Sequence, residues 1–186
     1  MFKKTLSALF VALVASVSLG AQAATLTITG EVTTAGGAFV ALTPIGTPVG
    51  GPIVVDDTAL ASGSIGIADI ISIDVNVGGF CFATGAGDCG GMGTIVPITS
   101  IDSAAITGSS GTLGGSFSVT AFSPTFMVSI PIVFDLDAGT FSADGGALGT
   151  VGGTVSVEAP APVPVPAAVW LFGSALLGLM GIRRRA

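Results

Sequence analysis

Carboxylates are the side chains of this sequence best suited to chemistry, and three of them are grouped in its C-terminal third. Asp135 and Asp137 end a run of alternating hydrophobic residues, Gly139 permits a turn, and Asp144 falls in the following turn. If the hairpin closes, the carboxylates converge and supply the oxygen ligands that Ca²⁺ prefers. We therefore predict a candidate Ca²⁺ site at Asp135, Asp137 and Asp144. The alternative is a set of solvated acids, because turns recruit Asp in any case.

Most catalytic chemistry lacks the residue types it needs. The chain has no His, so a serine nucleophile lacks its usual base and zinc hydrolase motifs are missing. No Lys follows Lys4, so a phosphate-binding loop that ends in Lys is missing as well. Carboxylate pairs remain, such as the Asp56-Asp57 doublet, but residues 24–158 contain no Trp or Tyr to form a sugar platform. We predict a protein that is not an enzyme, with a carboxylate-pair hydrolase as the alternative.

Charge is separated along the chain. All five cations lie at the two ends, at Lys3, Lys4 and Arg183–Arg185, and all eleven carboxylates lie between them. A segment without cations has nothing to neutralise phosphates with, which argues against a nucleic-acid partner. Divalent cations are natural counterions for such a segment, and the alternative is that the acids keep a Gly-rich protein soluble.

The N-terminal residues 1–23 predict a cleavable signal helix. Lys3 and Lys4 form a basic start, residues 6–19 form an apolar run, and Ala21-Gln22-Ala23 places small residues where signal peptidase requires them. We predict export through the Sec machinery and cleavage between Ala23 and Ala24. The alternative is an uncleaved anchor, for which the apolar run is short.

Cys81 and Cys89 are the two cysteines of the chain, and they flank a Gly-rich segment. An isolated pair in an exported protein predicts a structural disulfide. A metal site lacks His ligands, and redox catalysis lacks a Cys-x-x-Cys motif.

The C-terminal end has three consecutive parts. Residues 159–166 alternate Pro with Ala or Val, which favours an extended spacer. Residues 167–182 carry no charge and predict a single transmembrane helix, about 24 Å long at the rise of an α-helix. Residues 183–186 form a basic tail that the positive-inside rule places in the cytoplasm. An ordinary uncleaved anchor is the alternative to a processed one.

This order of parts resembles the PEP-CTERM sorting signal of Gram-negative bacteria, in the form with a Val-Pro-x-Pro-Ala core. Val165 occupies the position of the Glu in the family's namesake motif, and the resemblance covers about 24 residues. It implies an exosortase-like enzyme that recognises and removes the tail, and an association with exopolysaccharide and biofilm. The residues that carry the resemblance are Val163, Pro164, Val165, Pro166, Ala167, Arg183, Arg184 and Arg185.

The elements that position these residues are predicted to be strands. Residues 24–158 alternate hydrophobic and polar side chains with period two over 25–29, 71–77, 116–120, 128–136 and 151–157. Pairs of glycines predict the turns, at Gly36-Gly37, Gly50-Gly51, Gly78-Gly79, Gly90-Gly91, Gly114-Gly115, Gly145-Gly146 and Gly152-Gly153. We predict one all-β domain, an antiparallel β-sandwich or jelly-roll-like fold, with a β-solenoid as the alternative.

Together these features predict an exported cell-surface or extracellular-matrix protein with a structural or adhesive role. The chain is expected to cross the inner membrane, to be held in the membrane during transit, and to finish at the cell surface or outside the cell. A Ca²⁺-dependent module that binds polysaccharide is the alternative.

Overall fold

The computed structural model describes residues 23–85, 87, 89 and 93–161. The predicted signal helix up to residue 22 lies outside these ranges. So do most of the Pro-rich spacer, the predicted transmembrane helix at 167–182 and the arginine tail, with every residue of the sorting motif. Within the described ranges, no helix has the length and apolar character that crossing a membrane requires.

The described chain is made mainly of strands, with a few helical turns between them. Its two short α-helices are α1 (Phe39–Leu42) and α2 (Asp57–Ser62), and 3-10 turns cover Ile67–Asp69 and Gly146–Leu148. The eleven strands are β1 (Ala23–Ala35), β2 (Pro48–Asp56), β3 (Ser64–Gly66), β4 (Ile70–Val77), β5 (Phe80–Ala83), β6 (Thr94–Thr107), β7 (Gly111–Thr112), β8 (Gly114–Ser123), β9 (Val128–Asp135), β10 (Thr140–Asp144) and β11 (Thr150–Ala159).

Nine of these strands close into a barrel. Their order is β1-β2-β4-β5-β6-β8-β9-β10-β11, and β11 pairs with β1 over Thr27↔Glu158 to Ala35↔Val151. Strand β3 adds to β6, and β7 adds to β11. The all-β prediction is confirmed, but the predicted β-sandwich or jelly roll is wrong, because the first and last strands pair with each other and leave one continuous sheet. Period-two alternation arises equally from a sandwich and from a barrel, since both bury one face of every strand.

The alternating hydrophobic residues fill the inside of the barrel. Phe117, Phe134 and Phe141 are cross-strand partners on β8, β9 and β10, and their rings stack at centroid distances of 4.4 and 6.1 Å. The void beside them has a volume of about 20 Å³, room for about one water, and is lined almost wholly by apolar side chains. The interior is therefore a packed core.

Three of the predicted glycine turns are wrong, because those glycines lie inside β2, β8 and β11. At Gly115 the φ is +91°, and a Cβ would overlap the carbonyl oxygen of Ala105 on β6. At Gly153 a Cβ would overlap the carbonyl oxygen of Glu31 and press on the Phe141 ring. These glycines allow strands to approach closely where the barrel bends. The predicted turns at Gly36-Gly37, Gly78-Gly79 and Gly145-Gly146 do lie between strands, and Gly90-Gly91 lies outside the described residues.

A disulfide holds the parallel junction of the barrel. Strands β5 and β6 run parallel, from Phe80↔Thr94 to Ala83↔Pro97, while the other barrel pairs are antiparallel. Parallel neighbours need a crossover of about a dozen residues, and this one is only residues 84–93. The predicted Cys81–Cys89 disulfide is confirmed, with a Cα–Cα distance of 5.7 Å. It ties the crossover to the buried Cys81 of β5.

The aromatic stack predicts a large cost for truncation. Replacing Phe134 with Ala removes the middle ring, and we expect the free energy of unfolding to fall by about 3–5 kcal/mol in urea denaturation. The neighbouring Val133 is 47 % exposed, so Val133→Ala is the control and should cost less than about 1 kcal/mol. Equal losses in the two variants would show that the stack is not part of the core.

The disulfide predicts a second, moderate loss. Replacing both Cys81 and Cys89 with Ala should lower the free energy of unfolding by about 2–3 kcal/mol, because the unfolded chain regains the entropy of a short loop. Adding a reducing agent to the unmodified protein should give the same loss and should leave the double variant unchanged. A double variant as stable as the parent contradicts this account of the crossover.

Candidate functional site

Each of the three predicted Ca²⁺ ligands accepts a hydrogen bond from a backbone N–H. Asp135 accepts a hydrogen bond from the backbone N–H of Ala138 at 2.9 Å. Asp137 accepts one from the N–H of Gly115 on β8 at 2.8 Å, and Asp144 accepts one from the N–H of Gly146 at 2.8 Å. Among the described residues, no group of three or more Asp, Glu, His or Cys side chains is arranged to hold a metal ion.

The reason is the position of Asp144 along the hairpin. Asp135 pairs with Thr140 at the start of β10, whereas Asp144 is the last residue of that strand. Four residues of strand separate the two positions, which corresponds to about 13 Å. The structure therefore does not bring Asp144 to Asp135 and Asp137, and the predicted convergence of the three carboxylates does not occur.

The Asp56-Asp57 doublet begins a helix. Asp56 is the N-cap of α2, and it accepts hydrogen bonds from the Thr58 hydroxyl at 2.5 Å and the Thr58 backbone N–H at 2.8 Å. These bonds, the hydroxyl one first, lower the pKa of Asp56 from its ordinary value. A carboxylate engaged in this way is a structural cap.

A groove of about 530 Å³ crosses the outer face of β9, β10, β11 and β1. Its central row runs across the four strands from Val133 through Ser142 and Gly152 to Thr34, as the pairing registers place them. Gly152 leaves the floor of this row without a side chain. The volume lies within the range of about 300–1,000 Å³ typical of ligand sites. We call this feature the hydroxyl groove, after the polar side chains that line it: Thr33, Thr34, Thr140, Ser142 and Thr150.

A β-bulge builds one wall of the hydroxyl groove. The register of β1 against β11 shifts between Val32 and Thr34, so Thr33 is an extra residue on β1. A bulge redirects side chains locally, and here both Thr33 and Thr34 are exposed on the outer face. Strict alternation would have turned one of them inward.

The five hydroxyls of the groove are free to bind. All five residues are exposed, and none of these hydroxyls has a hydrogen-bond partner in the part of the chain that the structure describes. The opposite wall adds the apolar surfaces of Pro131 and Val133. Asp144 is the carboxylate that lines the groove. The neighbouring row of paired residues across the same four strands has a carboxylate at each end, Asp135 on β9 and Glu31 on β1. The groove therefore offers hydroxyls and negative charge.

A second polar cluster, on β6 and β8, is hydrogen-bonded internally. Asp102 accepts hydrogen bonds from the hydroxyls of Ser100 at 2.6 Å and Thr120 at 2.7 Å. Beside it, Ser103 and Ser118 share a hydrogen bond of 2.7 Å. The register of β6 against β8 shifts between Ile98 and Ser100 and again between Ile101 and Ser103. Asp102 is therefore an extra residue in a β-bulge. We call these residues the Asp102 cluster.

No protein-family model matches the sequence, and no curated protein or solved structure is significantly similar to it. The site must therefore be interpreted from its own geometry.

Neither feature was predicted from the sequence. The Thr33-Thr34 doublet, which breaks the alternation of β1, was the one local signal of the groove. For Asp102 the signal was the run Thr99-Ser100-Ile101-Asp102-Ser103, which also departs from strict alternation. Both signals mark bulges, and a bulge becomes visible only when the partner strand is known.

The Asp102 cluster predicts a measurable titration. Hydrogen bonds from Ser100 and then Thr120 lower the pKa of Asp102 from its ordinary value. Because these bonds favour the carboxylate in the folded state, their stabilisation is present above the unfolded pKa, about 3.9, and is lost as the pH falls through the folded pKa.

The measurement is an NMR titration of the Asp102 side-chain carbon. In a Ser100→Ala, Thr120→Val variant the pKa should rise toward its ordinary value. Ser103→Ala, which breaks the neighbouring hydroxyl pair alone, is the control and should leave the titration of Asp102 unchanged. A normal Asp102 titration in the unmodified protein would contradict the hydrogen-bond network.

Proposed function

We propose that this chain is an exported cell-surface or extracellular-matrix protein with an adhesive role, and that its hydroxyl groove binds an uncharged polysaccharide. The observation that carries the proposal is the set of exposed, unpartnered hydroxyls on a concave surface without cations. A ligand for such a surface needs many hydroxyl groups of its own and no negative charge.

The chemistry of the groove favours a neutral sugar polymer. Each groove hydroxyl donates one hydrogen bond and accepts others, which matches the hydroxyls of a sugar. Pro131 and Val133 offer apolar contact to the C–H surface of a sugar ring. Asp144 in the groove, with Asp135 and Glu31 in the next row, opposes an anionic chain because no cation offsets their charge. The groove is open across four strands, which suits an extended polymer.

Export is supported by the disulfide. A structural disulfide is typical of oxidising compartments outside the cytoplasm. Signal peptidase, the Sec machinery and an exosortase-like enzyme that acts on the Val163–Arg185 segment are part of the proposal, as is attachment to an exopolysaccharide matrix.

Calcium is not part of this proposal. Asp135, Asp137 and Asp144 each accept a hydrogen bond from a backbone N–H, and Asp144 lies at the opposite end of β10 from the turn that holds the other two. Binding of a neutral polysaccharide through hydroxyls needs no ion.

The test compares two isosteric triple variants of the exported protein. Replacing Thr33, Thr34 and Thr150 with Val removes three groove hydroxyls and keeps the shape of the side chains. We expect affinity for a neutral oligosaccharide, either a cello-oligosaccharide or a dextran oligosaccharide, to fall at least about tenfold in titration calorimetry, because each lost hydrogen bond is worth about 0.5–1.5 kcal/mol.

The control replaces Thr25, Thr27 and Thr29 with Val. These residues are exposed on the same strand, β1, and lie away from the groove. The control variant should bind the neutral oligosaccharide as tightly as the parent protein does. An anionic oligogalacturonate should bind neither the parent nor the control variant. Equal losses in both triple variants, preference for the anionic sugar, or binding to none of the neutral sugars would refute the proposal.

A further inference from the structure

The predicted cleavage site lies beside an acidic doublet in the folded protein. In the ladder between β1 and β2, Ala23 pairs with Asp56 and Ala24 pairs with Val55. Opposite residues of an antiparallel pair have Cα atoms about 4.5–5.5 Å apart. Helix α2 starts at Asp57, directly after β2, and it packs against β1. The main-chain nitrogen of Ala24 therefore lies close to the start of α2.

Asp57 has an oxygen that is not satisfied by the rest of the described chain. Its Oδ1 is inaccessible to solvent and has no hydrogen-bond partner among the described residues, whereas Oδ1 of Asp56 accepts two bonds from Thr58. A buried carboxylate oxygen without a donor is costly, because it has lost water and gained nothing in its place. The position favours a cation or a strong donor.

The described residues offer no cationic side chain for this role. Between Lys4 and Arg183 the chain contains no Lys, Arg or His. Removal of the leader changes this, because hydrolysis adds water across the Ala23–Ala24 peptide bond. Ala23 leaves with a carboxylate, and Ala24 keeps an α-amino group that is protonated at neutral pH.

We propose that the new α-ammonium of Ala24 forms an ion pair with the partly buried carboxylate of Asp57, through its inaccessible Oδ1, so that leader removal itself stabilises the closed barrel. This inference rests on the proposed export and cleavage. In the precursor the same nitrogen belongs to an uncharged amide, and the described residues hold no cationic side chain to pair with Asp57. The precursor is therefore the less stable form of the barrel, and the mature chain the more stable one.

The mature chain also gains a chemical property that makes the proposal testable. Lys3 and Lys4 are the only lysines, and both leave with the leader. The α-amino group of Ala24 is then the only primary amine of the exported chain. Amine reagents modify this group alone.

The experiment modifies the exported protein in two ways. N-terminal sequencing and intact mass first establish the start of the chain. Acetic anhydride then converts the amine into a neutral amide, and reductive dimethylation adds two methyl groups but keeps the positive charge. Acetylation should lower the melting temperature by about 5 °C, and dimethylation should change it by no more than about 1 °C. In an Asp57→Asn variant, acetylation should have no further effect.

The outcomes separate this inference from the proposed function. A chain that begins upstream of Ala24 would overturn both the ion pair and the proposed export. A chain that begins at Ala24 but melts at the same temperature after acetylation would overturn the ion pair alone. Equal losses from acetylation and dimethylation would also overturn it, because the charge would then be irrelevant. The two chemical modifications test the charge even if Asp57→Asn fails to fold.

Discussion

The hydrogen-bonded ladder between β1 and β11 is the contact on which the rest of this structure depends. It joins residues more than a hundred positions apart and turns an open sheet into a barrel, so that β1 and β11 present no free edge to other chains. The ladder requires two glycines: a Cβ on Gly30 would overlap the carbonyl oxygen of Thr154, and one on Gly153 would overlap that of Glu31. The same ladder carries the bulge at Thr33 and the bare floor at Gly152, so closure and the hydroxyl groove have one structural origin.

Closure also decides where the chain enters and leaves the barrel. Because β1 and β11 are antiparallel, Ala23 and Ala159 lie at the same end of the barrel. The groove residue Thr34 lies eleven residues further along β1, which corresponds to roughly 36 Å of strand. A chain held at both its leader and its tail would therefore present the groove at the far end. This separation is what the proposed surface protein would need, because its ends could then be processed without covering the groove.

The sequence predicts the strands well because alternation is a local property. Residues 73–77 and 128–136 alternate as β4 and β9 do, but Ile71, which the pattern places inside, is 61 % exposed because the register between β2 and β4 shifts beside it. The disulfide follows from the chain having two cysteines, one on each side of a Gly-rich segment. The barrel does not follow, because every strand of a sandwich alternates in the same way. In the sequence, the glycine pairs within β2, β8 and β11 look like turn signals. They are needed for another reason: a carbonyl oxygen of a strand distant in sequence lies where a Cβ would be. The Ca²⁺ prediction failed for a similar reason: it assumed that Asp144 folds back toward Asp135, but the intervening residues form a strand.

The two polar faces of the barrel differ in whether their hydroxyl groups are already hydrogen-bonded, and not in the residue types they contain. Around Asp102 the hydroxyls of Ser100 and Thr120 donate to the carboxylate, so that face has satisfied its own groups. Elsewhere the carboxylates accept hydrogen bonds from backbone N–H groups, as at Asp56, Asp135, Asp137 and Asp144. The barrel has no cationic side chains, so the partial positive charges of such groups are what it has to offset the negative charge. The groove hydroxyls are left out of this arrangement. Water satisfies them in the free protein, and a ligand that replaces this water must offer equivalent hydrogen bonds, as the hydroxyls of a neutral sugar do.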